Sequence, residues 1–189
     1  MKKIMILAVM MVASLTASAQ WSVTPKVGIN LANITDAEDA SMKFGLVAGA
    51  DLAYRISNPF AISVGAFYSM QGAKEKEDGV TVKLNADYIN IPILANFYVA
   101  PGFALKAGIQ PGLNVVHKAK AEYNGNSAET DIEHFNSIDL SIPLGISYEF
   151  SDFVIDARYN LGLTKIVDIS GVNSKNSVFQ FTVGYKIPL

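Results

Sequence analysis

Residues 138–150, IDLSIPLGISYEF, alternate without exception between a bulky apolar side chain and a residue that is polar, small or proline. A repeat of two is the period of an extended strand, in which successive side chains point to opposite faces of a sheet. The stretch is long enough for a tilted strand to cross a lipid bilayer, which takes roughly 9–11 residues. It therefore predicts a spanning strand with one apolar face and one polar face.

The same period of two recurs along the rest of the chain, and no helical period appears after residue 20. The other predicted strands cover residues 22–31, 44–55, 60–71, 88–97, 103–114, 153–163 and 179–189. Long polar loops at 33–43, 72–86, 116–135 and 164–176 alternate with short turns at 57–59, 100–102 and 151–152. Such asymmetry is typical of outer-membrane barrels. We therefore predict an all-β fold, an eight-stranded antiparallel up-and-down transmembrane β-barrel, formed by one domain of residues 20–189.

The composition agrees with a membrane-embedded wall. Half of the 189 residues are hydrophobic and only 17% are charged, against about 25% in soluble globular proteins. No apolar run after the N-terminus approaches the roughly 20 residues that a spanning helix needs. The absence of cysteine excludes disulfides, thiol catalysis and a lipoprotein anchor. The formal net charge of −2 gives no basic field, so we expect no nucleic-acid partner.

The N-terminus has the three parts of a secretory signal peptide. Two lysines open it, residues 4–15 form the apolar stretch, and the small residues ASA at 17–19 form a cleavage motif. The apolar stretch is too short to span a bilayer as a helix. We predict that residues 1–19 are removed by cleavage after Ala19, and that the mature chain begins at Gln20 in the outer membrane of a Gram-negative cell.

Alternation alone leaves open which face points into the barrel, and the alternative is a soluble eight-stranded lipid carrier with an apolar lumen. The apolar set is too bulky for that lumen, because an eight-stranded barrel is only just wide enough inside for side chains to fill. The other face holds nine glycines, which suit a crowded interior and are poor solvent-facing strand residues. They are Gly28, Gly45, Gly49, Gly65, Gly108, Gly112, Gly145, Gly162 and Gly184. We therefore place the apolar face in lipid.

Four prolines fall inside predicted strands, where a residue without an N–H cannot donate to the ladder. They are Pro25, Pro92, Pro111 and Pro143. A closed barrel has no edge strand on which to place them, so we expect local bulges at these residues. The sequence leaves the strand register near Pro92, Pro111 and Pro143 undetermined by one residue.

The face opposite the apolar one carries five positive and four negative side chains. They are Lys26, Asp51, Arg55, Lys106, Asp139, Glu149, Asp156, Arg158 and Lys186. In a narrow and poorly solvated lumen such charges must largely pair. We interpret them as a structural network of ion pairs, with a gated ion path and acid–base catalysis as the alternatives. No catalytic or cofactor-binding residue is predicted.

Two histidines, His117 and His134, lie in or beside the third long loop. Together with Glu133 or Asp131 they could bind a metal, but surface loops commonly carry such residues by chance, so we assign no metal site. The chain also lacks a phosphate-binding loop, a dinucleotide fingerprint, a Gly-x-Ser-x-Gly motif and a zinc-protease motif. We therefore expect no cofactor.

Five short motifs carry a resemblance to a known family. They are AQ at 19–20, KVGIN at 26–30, YINIP at 88–92, GIQPG at 108–112 and DARYNLGL at 156–163. On these motifs the chain resembles the PorT-like outer-membrane β-barrel proteins over its whole mature length. The resemblance implies the barrel fold and supplies no shared catalytic residue. Some members of that family serve protein secretion or gliding machinery, and this chain is short for the secretion component itself.

Three functions are compatible with the sequence. The leading hypothesis is a structural or surface-interaction protein without enzymatic activity, whose four long loops meet an external ligand or protein. A small channel would need a continuous watery path through the lumen. A lipid-modifying enzyme of the outer leaflet would need a His or Ser cluster at the outer rim, where His134 and Ser137 lie. In each case the lipid bilayer and the outer-membrane assembly machinery are expected partners.

Overall fold

A computed structural model describes residues 20–35, 41–77, 80–123, 126–131, 136–166 and 174–189. Within them, eleven antiparallel strands form one sheet. The strands are β1 (Trp21–Ile34), β2 (Ser41–Ser57), β3 (Phe60–Glu77), β4 (Val80–Asn90), β5 (Ile93–Ala100), β6 (Phe103–Tyr123), β7 (Asn126–Asp131), β8 (Ile138–Phe150), β9 (Phe153–Gly162), β10 (Asn176–Tyr185) and β11 (Ile187–Pro188). The predicted signal peptide lies outside the described residues. No helix in the described part of the chain is long and apolar enough to cross a membrane.

The sheet closes on itself through its first and last strands. Val27 of β1 lies opposite Val183 of β10 on one side and opposite Ala48 of β2 on the other. β4 and β5 follow one another along one line of the wall, as do β10 and β11, while β7 pairs with β6 alone. If each line of strands around the ring is called a stave, the described wall has eight staves. The predicted eight-stranded antiparallel barrel is therefore confirmed.

The two faces of the wall have opposite chemistry. Outward-pointing side chains are apolar and exposed, as shown by Val27 at 65% and Ile155 at 58%. Inward-pointing side chains are mostly polar and buried, as shown by Asn30 at 0% and Thr182 at 2%. An apolar belt around a polar lumen is stable when the belt contacts lipid, whereas a soluble lipid carrier needs the reverse arrangement. The soluble-carrier alternative is therefore wrong.

Small residues on the inner face leave the space that charged side chains occupy. A Cβ atom at Gly184 would lie 2.6 Å from Cγ of Lys26, which is closer than carbon atoms pack. A Cβ atom at Gly65 would collide with a carboxylate oxygen of Asp51. Glycine at these two positions is therefore part of how the lumen accommodates ionised groups.

Pro92 interrupts the wall between β4 and β5 without shifting its register. Phe67 of β3 lies opposite Asn90, and Val64 lies opposite Ile93, so the same number of residues separates the two pairs on each strand. Pro92 cannot donate a hydrogen bond, but its carbonyl still accepts one of 2.9 Å from the β3 backbone. The stave of β4 and β5 therefore loses one backbone hydrogen-bond donor but keeps its register against β3.

The other three prolines behave in the same way, since the register is unchanged past Pro25, Pro111 and Pro143. Register shifts occur elsewhere, for example at Asp87 and Tyr88, where β6 carries an extra residue. The prediction of bulges at the four prolines is therefore wrong. The physical reason is that a proline removes only its own N–H from the ladder, while its carbonyl still accepts.

At the end where the long loops lie, β3, β4 and β6 extend beyond their spanning parts, and β7 pairs beside β6. We call residues 72–77, 80–86, 116–123 and 126–131 of these four strands the projecting sheet, whose inner end at Ala73 and Ala86 is buried. The predicted loops 72–86 and 116–135 thus contain much regular strand, which corrects the sequence-based assignment. Residues 72–77, GAKEKE, show no apolar alternation, whereas residues 80–86, VTVKLNA, do alternate, a signal that the loop assignment overlooked.

Candidate functional site in the barrel lumen

Five charged side chains meet in the middle of the lumen around Asp156. One carboxylate oxygen of Asp156 lies 2.5 Å from Nζ of Lys106 and 3.3 Å from Nζ of Lys26. The other oxygen lies 3.3 Å from Nη2 of Arg158. The Lys26 ammonium also lies 2.7 Å from a carboxylate oxygen of Asp51. We call these five residues the central cluster.

The strand pairing explains why these side chains converge. Asp156 of β9 is flanked across the ladder by Ser147 of β8 and Thr182 of β10, both of which have short side chains. Lys106 from β6 and Lys26 from β1 extend past these neighbours to reach the same carboxylate. Each long cation therefore bridges staves that are not adjacent in the wall.

The central cluster is almost dry. The side chain of Arg158 is 0% exposed, that of Asp156 is 1% and that of Lys26 is 2%. Charges attract one another more strongly in such surroundings than in water, but each has also lost its hydration. The cluster is therefore stable only while every charge keeps its partners.

A second group of charges, the turn-end cluster, lies near the short turns and consists of Arg55, Tyr98, Glu149 and Lys186. Glu149 accepts a hydrogen bond of 2.5 Å from the Tyr98 hydroxyl and lies 2.7 Å from Nζ of Lys186. The guanidinium carbon of Arg55 stands 3.8 Å from the centre of the Tyr98 ring. A cation over an aromatic face is attracted by the ring quadrupole. Tyr98 therefore links Arg55 to Glu149, a role that the sequence analysis missed although the period of two places Tyr98 on the inner face.

Asp139 stands apart from both clusters, at the long-loop end of β8. Its carboxylate accepts hydrogen bonds from the Thr164 hydroxyl at 2.7 Å and from Nδ2 of Asn176 at 3.2 Å. These partners are neutral, which differs from the expected ion pair with a lumen cation. Neutral donors also stabilise a carboxylate. Here they attach both ends of the fourth long loop to β8.

The same loop closes the lumen at this end. Ile166 is 2% exposed and belongs to an apolar cluster of inward-facing side chains. The other buried members are Ile34, Ala73, Ala86 and Tyr88. The Ile166 N–H donates to the Ser174 carbonyl at 3.0 Å, and the Ile166 carbonyl accepts from Asn136 N at 2.9 Å. Periodicity does not reveal this plug, because Ile166 lies in a loop.

The open space lies at the opposite end of the lumen. A recess of about 450 Å³ between the short turns is lined by Arg55, Tyr98 and Glu149 together with turn residues. It shares Tyr98 and Glu149 with an inner cavity of about 30 Å³ that Lys26 and Lys106 also line. Beyond that cavity the lumen is filled by large buried side chains, including Phe67, Leu94 and Tyr88. The described lumen is therefore a blind vestibule.

The candidate metal ligands do not come together in the described part of the chain, where no three metal-binding side chains converge. His117 Nδ1 lies 3.0 Å from Oδ1 of Asn114. His134 and Glu133 lie outside the described residues, and Ser137 is exposed at the rim. The charged side chains of the described lumen pair with one another, and this pairing is the chemistry that the site provides.

The closed ring, the apolar belt and the polar lumen define a transmembrane β-barrel. The sequence matches the family described as outer membrane protein beta-barrel domain over residues 13–168, and the chain belongs to this family. An outer-membrane location follows from that membership. No curated protein matches the chain.

Solved structures share the fold at low sequence identity. Ail, the attachment invasion locus protein of Yersinia pestis, is 17% identical with a TM-score of 0.51, covering 89% of this chain and 99% of Ail. Ail in complex with the heparin analogue sucrose octasulfate gives a TM-score of 0.54 at 17% identity, with the same coverage of 89% and 99%. Neisserial surface protein A is 19% identical with a TM-score of 0.51, covering 91% of this chain and 98% of that protein. Such similarity shows the fold alone.

Proposed function

We propose that this protein acts at the cell surface, as a barrel that anchors a protein-binding sheet in the outer membrane. The observation that carries the proposal is the edge of the projecting sheet. β7 pairs with β6 from Lys118 opposite Asp131 to Tyr123 opposite Asn126. Its other edge has no partner strand among the described residues. An unpaired edge is a template to which an extended segment of another protein can add.

In this proposal the long-loop end faces the outside and the short turns face the periplasm, as in other outer-membrane barrels. The loops at 33–43, 72–86, 116–135 and 164–176 then present the binding surface. The chain is made as a precursor, cleaved after Ala19, and inserted by the assembly machinery of a Gram-negative cell as one domain of residues 20–189. The PorT-like resemblance supports a narrower version, in which the external partner belongs to a secretion or gliding system.

The alternatives are less well supported by the lumen. A channel needs a through path, whereas Ile166 and the layer formed by Phe67 and Leu94 fill the described lumen. An enzyme needs a group free to exchange protons or to attack a substrate. The carboxylates of Asp51, Asp156 and Glu149 are instead held by cations. We therefore propose no enzymatic activity.

Cross-linking from β7 tests the surface role. The chain has no cysteine, so Thr130→Cys introduces a single thiol at an exposed position of β7. In intact cells supplied with external proteins, a thiol-directed cross-linker at this residue should give a discrete adduct. The matched control is Ile62→Cys, whose side chain faces the lipid belt and is 44% exposed. Equal adducts from both variants, or none from Thr130→Cys, would refute the proposal.

A further inference from the structure

The charges of the described lumen do not balance toward the short-turn end. In the central cluster three cations, Lys26, Lys106 and Arg158, face two carboxylates. In the turn-end cluster two cations face the single carboxylate of Glu149. Asp139 does not correct the excess, because it lies at the other end with neutral partners. The turn-end cluster is partly exposed, with the Lys186 side chain at 23%, so solvent screens its extra cation. The central cluster is almost dry, and an uncompensated buried charge is unfavourable, so its excess of one cation calls for a negative group.

The inner cavity lies where that negative group is needed. Three lysines line it, Lys26, Lys106 and Lys186, together with the carboxylates of Asp51 and Glu149. Its volume of about 30 Å³ exceeds the roughly 10–15 Å³ that one water molecule needs. The cavity therefore has room for a small ion. Its shared lining with the recess offers entry from the short-turn side without passage through the plug.

Several polar atoms beside Asp156 have no hydrogen-bond partner. Nη1 of Arg158 has no hydrogen-bond partner, although the side chain is 0% exposed. The hydroxyls of Ser147 and Thr182, which flank Asp156 in the ladder, also lack partners. Oδ1 of Asp51 lacks a donor as well, and Asp51 lines the inner cavity. Arg158, Ser147 and Thr182 lie beside Asp156 and outside the lining of that cavity.

We propose that the inner cavity binds one small monovalent inorganic anion of about the size of chloride. Lys106, Lys26 and Lys186 hold the ion, which enters from the short-turn mouth and neutralises the excess charge of the central cluster. A ligand that binds only the folded barrel stabilises it by an amount that grows with the logarithm of the ligand concentration once that concentration exceeds Kd. The anion is therefore a structural ligand of the wall, and the inference does not depend on the surface role proposed above.

The test compares anions at constant ionic strength and constant cation. The refolded barrel in detergent micelles is unfolded thermally while sodium chloride is replaced stepwise by sodium gluconate. The unfolding midpoint should rise with the logarithm of the chloride concentration once that exceeds Kd, and bromide should replace chloride whereas the larger gluconate should not. Identical midpoints in chloride and gluconate would overturn the proposal.

Charge-removing variants separate this site from general salt effects. Lys106→Met removes an excess cation of the cavity and should abolish the chloride dependence. Lys165→Met removes an exposed lysine at the long-loop end and should leave the dependence unchanged. Asp51→Asn removes a carboxylate that lines the cavity, so the anion should bind more tightly and the midpoint should begin to rise at lower chloride. The same chloride response in all three variants would mean surface screening and would overturn the proposal.

A direct measurement does not depend on variants that fold. The chloride NMR line width in a solution of the wild-type barrel should exceed that of micelles alone, and added bromide should reverse the broadening. No excess line width, or broadening that bromide fails to reverse, would overturn the proposal.

Discussion

Lys106 and Asp156 form an ion pair of 2.5 Å that reaches past β8 and joins two staves sharing no backbone ladder. Most of the wall is held by contacts between neighbouring strands, whereas this ion pair joins two strands that are not neighbours in the sheet. Lys26 makes a similar link from β1 past β10 to the same carboxylate. The central cluster therefore fixes the cross-section of the barrel as well as its charge.

Removal of the shared carboxylate should destabilise the barrel strongly. Asp156→Asn leaves three buried cations with one remaining partner, Asp51, and loss of one member of a buried pair costs about 3–5 kcal/mol. Denaturant unfolding of the refolded barrel in lipid vesicles measures the change. The control is Asp152→Asn, an exposed turn residue that accepts a hydrogen bond from Tyr185, and it should change little. Equal losses for the two variants would contradict the structural role of the cluster.

A charge on the outer belt should impair the barrel according to its depth. Val64 of β3 faces outward and is 43% exposed, and Arg at mid-bilayer costs about 2–4 kcal/mol. Val64→Arg should therefore lower the free energy of unfolding by about that amount. Ser57→Arg carries the same charge at the exposed end of β2, beside a short turn, and should be tolerated. If Val64→Arg left the free energy of unfolding unchanged, the apolar face would not be the one that contacts lipid.

The protein should not conduct ions. Pure barrel in planar bilayers should give no steady conductance, because Ile166 closes one end and Phe67 with Leu94 fills the middle. Ile166→Ser should stay closed as well, since the middle layer is untouched. Reproducible single-channel steps from the wild-type protein would restore the channel hypothesis.

The two ends of the barrel should differ in access to reagents. In intact cells a membrane-impermeant maleimide should label Thr130→Cys on the projecting sheet. Asn58→Cys, in a short turn, should react only after the outer membrane is permeabilised. Labelling of the short turn in intact cells would reverse the proposed orientation.

Processing can be measured independently of the fold. Intact-mass analysis of the protein extracted from membranes should show a chain that starts at Gln20, because the small residues at 17–19 form the cleavage motif. Retention of residues 1–19 in the folded protein would contradict secretion by a cleaved signal peptide.

The spanning part of the barrel could be predicted from sequence, because lipid on one side and a narrow lumen on the other impose opposite chemistry on alternate residues. Val183 and Thr182 are one such neighbouring pair, exposed at 51% and 2%. The projecting sheet is predicted as loop because residues 72–77 carry no alternation, although the alternation of residues 80–86 could have indicated a strand. The same alternation that predicts the strands also predicts which charged side chains face inward. It does not predict which of them pair, because the proximity of Lys106 to Asp156 depends on register and shear around the ring.

The unshifted prolines have a mechanical consequence for the wall. Pro92, Pro111 and Pro143 stand on three consecutive staves, those of β4 with β5, β6 and β8. Each lacks the N–H that would donate to a neighbouring strand, so this sector of the wall has fewer interstrand hydrogen bonds than it would have without the prolines. We therefore expect this sector to deform more readily than the charged centre when the surrounding bilayer thins or thickens.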